Sequence, residues 1–334
     1  MSKFDYGRYY GVITPLADAL RTSPTRFWEP TRAELSRPHE YVLYLGCNVL
    51  RTVHLAEAIV AVLRKLGVDF VPMGGFSYCC GIVHERNGDD AVATALTQQS
   101  LNKFKAVQPR AVLVYCPSCH SRMDRVLPEG DFGFEVPYLH VTQFIAERLH
   151  TLTFPQRIER RIALHTHSAR GQSRTDARNT ATILRAIPGL EVVELTAGPE
   201  WGYHCAPQQV EEVGPERFDA MVDGMFAEAR AQGCDGIAAV YHSCYRELLP
   251  KEAKHGIEFL NYVELLAAAL GLGPFPARYK ALKLAGDPEA AYAELEPRAL
   301  EQGNNPARLR RAVQAHFAQI SPAASDNGDG DDTP

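Results

Sequence analysis

No stretch of this chain approaches the ~20 consecutive apolar residues that a membrane helix requires. The apolar runs, such as IAAVY near 240 and VELLAAALGLG near 268, are short, so membrane association would have to come through a partner and not through direct insertion. The N-terminus, MSKFDYGRYYGVITPL, has no basic segment leading into a long apolar run and no small-residue cleavage site. That argues against a secretory leader and for a cytoplasmic protein. A surplus of one charge sign is also missing. Of the net charge of −5, all but about one unit lies in Asp326, Asp329, Asp331 and Asp332 of the polar tail, a balance that is no footprint for nucleic acid. There is no glycine-rich G-x-G-x-x-G turn after a strand, so hydride chemistry on a flavin or nicotinamide is not expected of the chain itself.

What the chain does have is eight cysteines in 334 residues. A chain of this length buries a substantial core without disulfide staples. In a reducing compartment, cysteines at short spacings serve metal or redox roles more often than structural bridges.

The apolar pattern alternates between short β-rich runs and helical periodicity. YVLYLGC from residue 41 precedes a helical stretch from about His54 to Leu66. VDFVPM leads into the loop GGFSYCCG, a helix from about Asp89 to Val107, the run AVLVYC and then CPSCHSRMDRVL. Fully apolar strands separated by helices predict an α/β fold with a parallel, helix-covered sheet. The same order recurs in RIALHTH, a helix from about Arg174 to Ala186, EVVELT, a loop with HCAP, a helix from about Pro215 to Ala231, and GIAAVYHSCYREL.

The register of the two halves agrees. Cys80 to Cys116 and Cys205 to Tyr241 are both 36 positions, and Cys80 to Cys119 and Cys205 to Cys244 are both 39. An internal duplication is the simplest account, giving two tandem Rossmann-like parallel-sheet domains with cysteine-bearing loops at the strand C-termini. The expected organisation is an N-terminal extension over 1–38, a first domain over 39–150 and a second over 158–275. A helical C-terminal segment over 276–320 and a disordered acidic tail over 321–334 complete it.

In the first repeat Cys47, the pair Cys79–Cys80 before Gly81, and Cys116-Pro117-Ser118-Cys119 each fall after a strand. In a doubly wound sheet those ends gather along one edge, so five thiols distant in sequence converge. Thiolates suit iron–sulfur clusters, and adjacent cysteines can contact or bridge two metals. Gly81 lets the backbone turn tightly beside the sulfurs. This pattern resembles the CCG, or cysteine-rich, domain found in the cluster-bearing subunit of heterodisulfide reductases, which also occurs in related subunits of glycolate, lactate, glycerol-3-phosphate and succinate oxidising systems. The resemblance spans roughly residues 40 to 272. It implies that Cys47, Cys79, Cys80, Cys116 and Cys119 hold a noncubane 4Fe-4S cluster that itself acts on a disulfide; some family members instead use one motif for zinc.

The second repeat departs from this pattern. The first cysteine is replaced by His165 or His167, the pair becomes His204–Cys205, and the last motif becomes Tyr241-His242-Ser243-Cys244. Two thiols of five exclude the same cluster. Cys205 and Cys244 with two of His165, His167, His204 and His242 would make a two-Cys, two-His set suited to zinc or to a histidine-ligated 2Fe-2S cluster. A degenerate site holding no metal, or a thiol activated by an imidazole, are the other readings. Cys234 fits no ligand position and reads as a structural thiol. His120 could hydrogen-bond a cluster sulfur, and Arg170, Arg174 and Arg178 could form an anion-binding face, though solvated helix charge is the commoner explanation.

The leading expectation is the iron–sulfur subunit of a heterodisulfide-reductase-like complex, exchanging electrons with a disulfide or thiol group of a small molecule or carrier protein. The altered second repeat would suit a specialised, sulfur-oxidising branch of that family. Without a four-cysteine ferredoxin run of its own, the chain needs electrons from another protein. The resemblance implies a ferredoxin-like subunit and often a flavoprotein. The alternatives are an electron-relay subunit of a hydroxy-acid dehydrogenase and a zinc-holding scaffold.

Overall fold

The computed structural model describes residues 4–196, 205 and 207–318. His204 and the acidic tail lie outside the described residues. Within them are two four-stranded sheets, each wholly parallel and of identical strand order. The first contains β1 (Tyr41–Gly46), β2 (Phe70–Gly74), β3 (Ala111–Val114) and β4 (Tyr138–His140), in the order β2-β1-β3-β4. The second contains β5 (Arg160–His165), β6 (Leu190–Glu194), β7 (Gly236–Ala239) and β8 (Glu258–Asn261), in the order β6-β5-β7-β8.

The central strands are buried along nearly their whole length, as continuous apolar runs under helices on both faces must be. β6, by contrast, mixes buried and exposed positions, as suits an edge strand. In both sheets the chain reverses its direction of travel after the second strand and crosses back over the first. The loops leaving β1 and β3, and those leaving β5 and β7, therefore border a crevice at the carboxyl edge.

The sheets meet through equivalent helices. Val53–Lys65, which follows β1, packs on Tyr262–Ala269, which follows β8, and Val141–Ala146, after β4, packs on Gly171–Arg185, after β5. The two halves thus exchange the same pair of helices. Chain segments outside the repeats close the structure: the helix Ile13–Leu20 packs against Pro288–Glu301 and Pro306–Phe317. Asp18, fully buried, receives Arg21, Arg26 and Asn304. Trp28 is also fully buried, and its carbonyl accepts the Gly74 N–H at 3.0 Å, anchoring the N-terminal segment to the end of β2.

Candidate metal centres

Gly46 ends β1 with φ +71°, where the register against β2 shifts. A Cβ at Gly46 would lie 2.8 Å from the Cys119 Sγ and 3.1 Å from the Cys116 Cβ, so only glycine lets the chain pass there and deliver Cys47. After β2, a short 3-10 turn over Phe76–Tyr78 leads to Cys79 and Cys80, and Gly81 turns the backbone at φ +82°. A Cβ at Gly81 would stand 2.3 Å from the Ala93 carbonyl oxygen. The peptide carbonyls of the pair are pinned: Ser100 Oγ donates to Cys79 at 2.9 Å, while Thr97 Oγ1 and Arg122 Nε donate to Cys80 at 2.8 and 2.7 Å. Cys116 caps the helix Pro117–Val126, whose first position is proline, and Cys119 lies in its first turn.

These turns bring five buried, free thiols into one row. Side-chain contacts run from Cys47 to Cys79, Cys80, Cys119 and Cys116. Thiols this close share protons and cannot all ionise. Contact with Cys47, then Cys80, holds the Cys79 thiol down to about 3. Cys119, helped by His242, holds Cys116 well below the usual thiol range against its burial. Cys47 is pushed up by Cys79 and by burial, and Cys119 by Cys116 and Cys80. Cys80 is also raised, because Cys79 and burial outweigh the opposing pull of Cys119. The Tyr10 hydroxyl, from the N-terminal segment, lies 3.5 Å from the Cys79 Sγ, a neighbour that no sequence pattern announces.

The second group is smaller and tighter. His165 ends β5, His167 follows it, Cys205 stands in the loop after β6, and Cys244 lies in the first turn of the helix His242–His255. One ligand atom from each lies within 4.8 Å of all the others, and all four residues are buried. The Cys205 Sγ is 3.4 Å from His165 Nε2 and 3.7 Å from His167 Nε2, and the Cys244 Sγ is 3.3 Å from His167 Nε2. Burial keeps the His165 imidazole low, hence neutral near pH 7. Burial and Cys244 raise Cys205. Burial also opposes ionisation of Cys244, yet Cys205 and the two imidazoles draw that thiol well below its ordinary range.

His242 does not join this group. It precedes Cys244 by two positions on one helix, and such residues point roughly 200° apart. With Cys244 turned to the second group, His242 turns to the first domain, beside Cys116 and against the Tyr115 ring at 6.2 Å. Tyr241, which stands where the repeat register expects a cysteine, donates to the buried Asp176 at 2.7 Å. Asp176 in turn faces Thr142 and His140 of the first domain. His204 lies outside the described residues.

The minor candidates have other partners. His120 pairs with Asp124 at 3.1 Å. Arg170 donates to Ser121 at 2.6 Å, Arg174 to the Ser168 carbonyl at 2.5 Å, and Arg178 to Thr175 at 3.3 Å. Cys234 precedes β7, beside Arg161 and Glu191, at the sheet edge opposite the two groups.

Fold and site together define a duplicated parallel α/β protein that gathers thiols at one sheet edge. Residues 41–124 match the cysteine-rich domain family CCG, and most of the chain is similar to heterodisulfide reductase subunits. A subunit of the dihydromethanophenazine:CoB--CoM heterodisulfide reductase of Methanosarcina barkeri is 27% identical over 256 residues, covering 73% of this chain and 62% of that protein. The EtfAB:quinone oxidoreductase of Syntrophomonas wolfei is 27% identical over 52% of this chain and 24% of its own length. A probable iron-sulfur-binding oxidoreductase of Bacillus subtilis is 24% identical over 53% of this chain and 26% of its own. The chain therefore spans less than two thirds of the length of these relatives. The family match ends before the second sheet begins, where the thiol set thins.

Proposed function

We propose that the chain is the iron–sulfur subunit of a heterodisulfide-reductase-like complex, with Cys47, Cys79, Cys80, Cys116 and Cys119 holding a noncubane 4Fe-4S cluster. The observation that carries this reading is the row of five buried thiols, two already inclined to the thiolate. The residues fit such a group. The donors are all soft sulfur, glycine at 46 leaves room beside the Cys116 and Cys119 side chains where a Cβ would collide, and the carbonyls of Cys79 and Cys80 are held by other partners, leaving the thiols to the metal. A cluster held there supplies single electrons to a disulfide or thiol.

The chain's own residues set the surroundings of that exchange. Burial of all five sulfurs excludes water, and the Tyr10 hydroxyl supplies a polar hydrogen beside Cys79. Phe76, 52% exposed beside Tyr10, marks the face nearest solvent. Converting a disulfide to two thiols takes two electrons and two protons. The electrons come from a partner such as a ferredoxin-like subunit, supplied in turn by a flavoprotein; thiol-bound sulfur on a carrier protein is the corresponding substrate of the oxidative direction. No described helix is long and apolar enough to cross a membrane.

For the second site the geometry favours one zinc ion over a 2Fe-2S cluster. Tetrahedral zinc with sulfur and imidazole bonds of about 2.0–2.3 Å sets its ligand atoms roughly 3.3–3.8 Å apart. Three of the separations are 3.3, 3.4 and 3.7 Å and all lie within 4.8 Å, so the four residues would suit one ion.

Turnover with disulfides tests the reading. The purified complex should reduce a disulfide and change the cluster's paramagnetic signal on adding it. A relay subunit of a hydroxy-acid dehydrogenase would do neither, and a zinc scaffold would hold no sulfide.

A further inference from the structure

His242 belongs to the second domain, yet its ring stacks on the first domain's Tyr115, the residue before Cys116, and helps to lower that thiol. The side chain is 3% exposed, and neither ring nitrogen completes a hydrogen bond of ordinary distance and angle among the described residues. Leaving a buried polar atom unpaired is costly, so a paired arrangement is expected in the working protein. Two restraints hold the ring where it is. It stacks on Tyr115, the residue before Cys116, with planes 18° apart. It also opens the helix whose first turn carries Cys244 into the second group. The helix thus presents one side chain to each site, on opposite faces.

We infer that His242 is the second domain's contribution to the first centre: an N–H donor to the Cys116 sulfur in the metal-loaded protein, positioned by the anchorage of Cys244 in the second site. The inference rests on the cluster reading above. It makes His242 a positioning residue, acting on the cluster through a ligand's sulfur. Hydrogen bonds to cluster sulfurs raise the reduction potential, because they stabilise the more negative reduced state. Cys244 then links the two sites mechanically: loosening the second site frees the helix end that carries His242.

The test is made on the full chain, reconstituted anaerobically with iron and sulfide. Iron, sulfide, midpoint potential and hyperfine couplings to nitrogen-15 histidine are measured for the wild type, His242→Phe and His242→Gln. The inference expects all three to bind the same iron and sulfide. His242→Phe should lower the potential and abolish a weak nitrogen coupling, and His242→Gln, which keeps an N–H, should recover part of the potential. Cys244→Ser should lower the potential in the same direction without loss of iron. A cluster-loaded His242→Phe with unchanged potential overturns the inference and leaves the cluster reading standing. A strong nitrogen coupling, the mark of direct ligation to iron, overturns the donor role. Should His242→Phe fail to fold, the wild-type spectrum decides alone: a loaded cluster with no histidine nitrogen coupling overturns the inference. A wild type that takes up no iron overturns both readings, so the two failures are distinct.

Discussion

The two sheets share strand order, direction and the positions of their loops, yet one edge gathers five thiols in a row and the other two thiols with two imidazoles in a compact knot. The scaffold is common to both, and a handful of substitutions separates the chemistries. Where the first repeat places Cys116, the second has Tyr241, whose hydroxyl turns to Asp176 and ties the halves together. Where the first has Cys47 after its first strand, the second has His165 and His167. A row of thiols suits a group with several metal atoms, and a knot of four mixed ligands suits one ion.

The comparison breaks most decisively at the cysteine pair. Cys79→Ser or Cys80→Ser should abolish iron binding and leave zinc in place, whereas His167→Ala should remove zinc and leave iron. Metal analysis of the purified variants reads both, and full retention of iron in Cys79→Ser and Cys80→Ser would refute the ligand assignment. Next is the glycine beside that pair. Gly81→Ala forces a left-handed alanine onto the Ala93 carbonyl, and should destabilise the fold by roughly 2–4 kcal/mol from backbone and overpacking together. The second repeat carries Ala206 at the corresponding position, so the penalty belongs to the first site; urea unfolding measures it.

A smaller effect is expected at the seam. Tyr241→Phe leaves Asp176 without its 2.7 Å donor, at a cost of about 1–2 kcal/mol, seen as a lower unfolding midpoint with both metals retained. The mildest difference concerns pH. Before loading, Cys47, Cys80 and Cys119 are raised and carry protons near neutrality, and each must lose its proton to bind metal. In the second site Cys205 alone is raised, while Cys244 is already lowered and His165 neutral. Lowering the pH should therefore weaken loading at both sites, and more steeply at the first. Proton release on titration with metal measures the two slopes.

Much of this was legible in the residues. Apolar runs at strand length and matched spacings of 36 and 39 expose the duplication, because strands buried in a parallel sheet read as continuous apolar runs set between helical periodicities. Cys47, Cys79, Cys80, Cys116 and Cys119 lie at strand ends, and strand ends in such sheets share an edge. Side-chain direction was less legible. His242 and Cys244 look like one motif in the sequence, and only the phase of the helix separates them. Tyr10 reaches Cys79 from a segment outside the repeats, across 69 positions, and no local pattern encodes such a contact. Asp176 reads as an ordinary helix-surface carboxylate until the second half is packed on the first.

If the two related edges hold different metals, the metal content of the protein reports it. Iron, acid-labile sulfide and zinc are measured on anaerobically purified protein, with electron paramagnetic resonance after oxidation. The account predicts roughly four irons with matching sulfide, a paramagnetic oxidised state and about one zinc per chain. Zinc alone, with no sulfide even after anaerobic reconstitution, would contradict it and make the chain a scaffold.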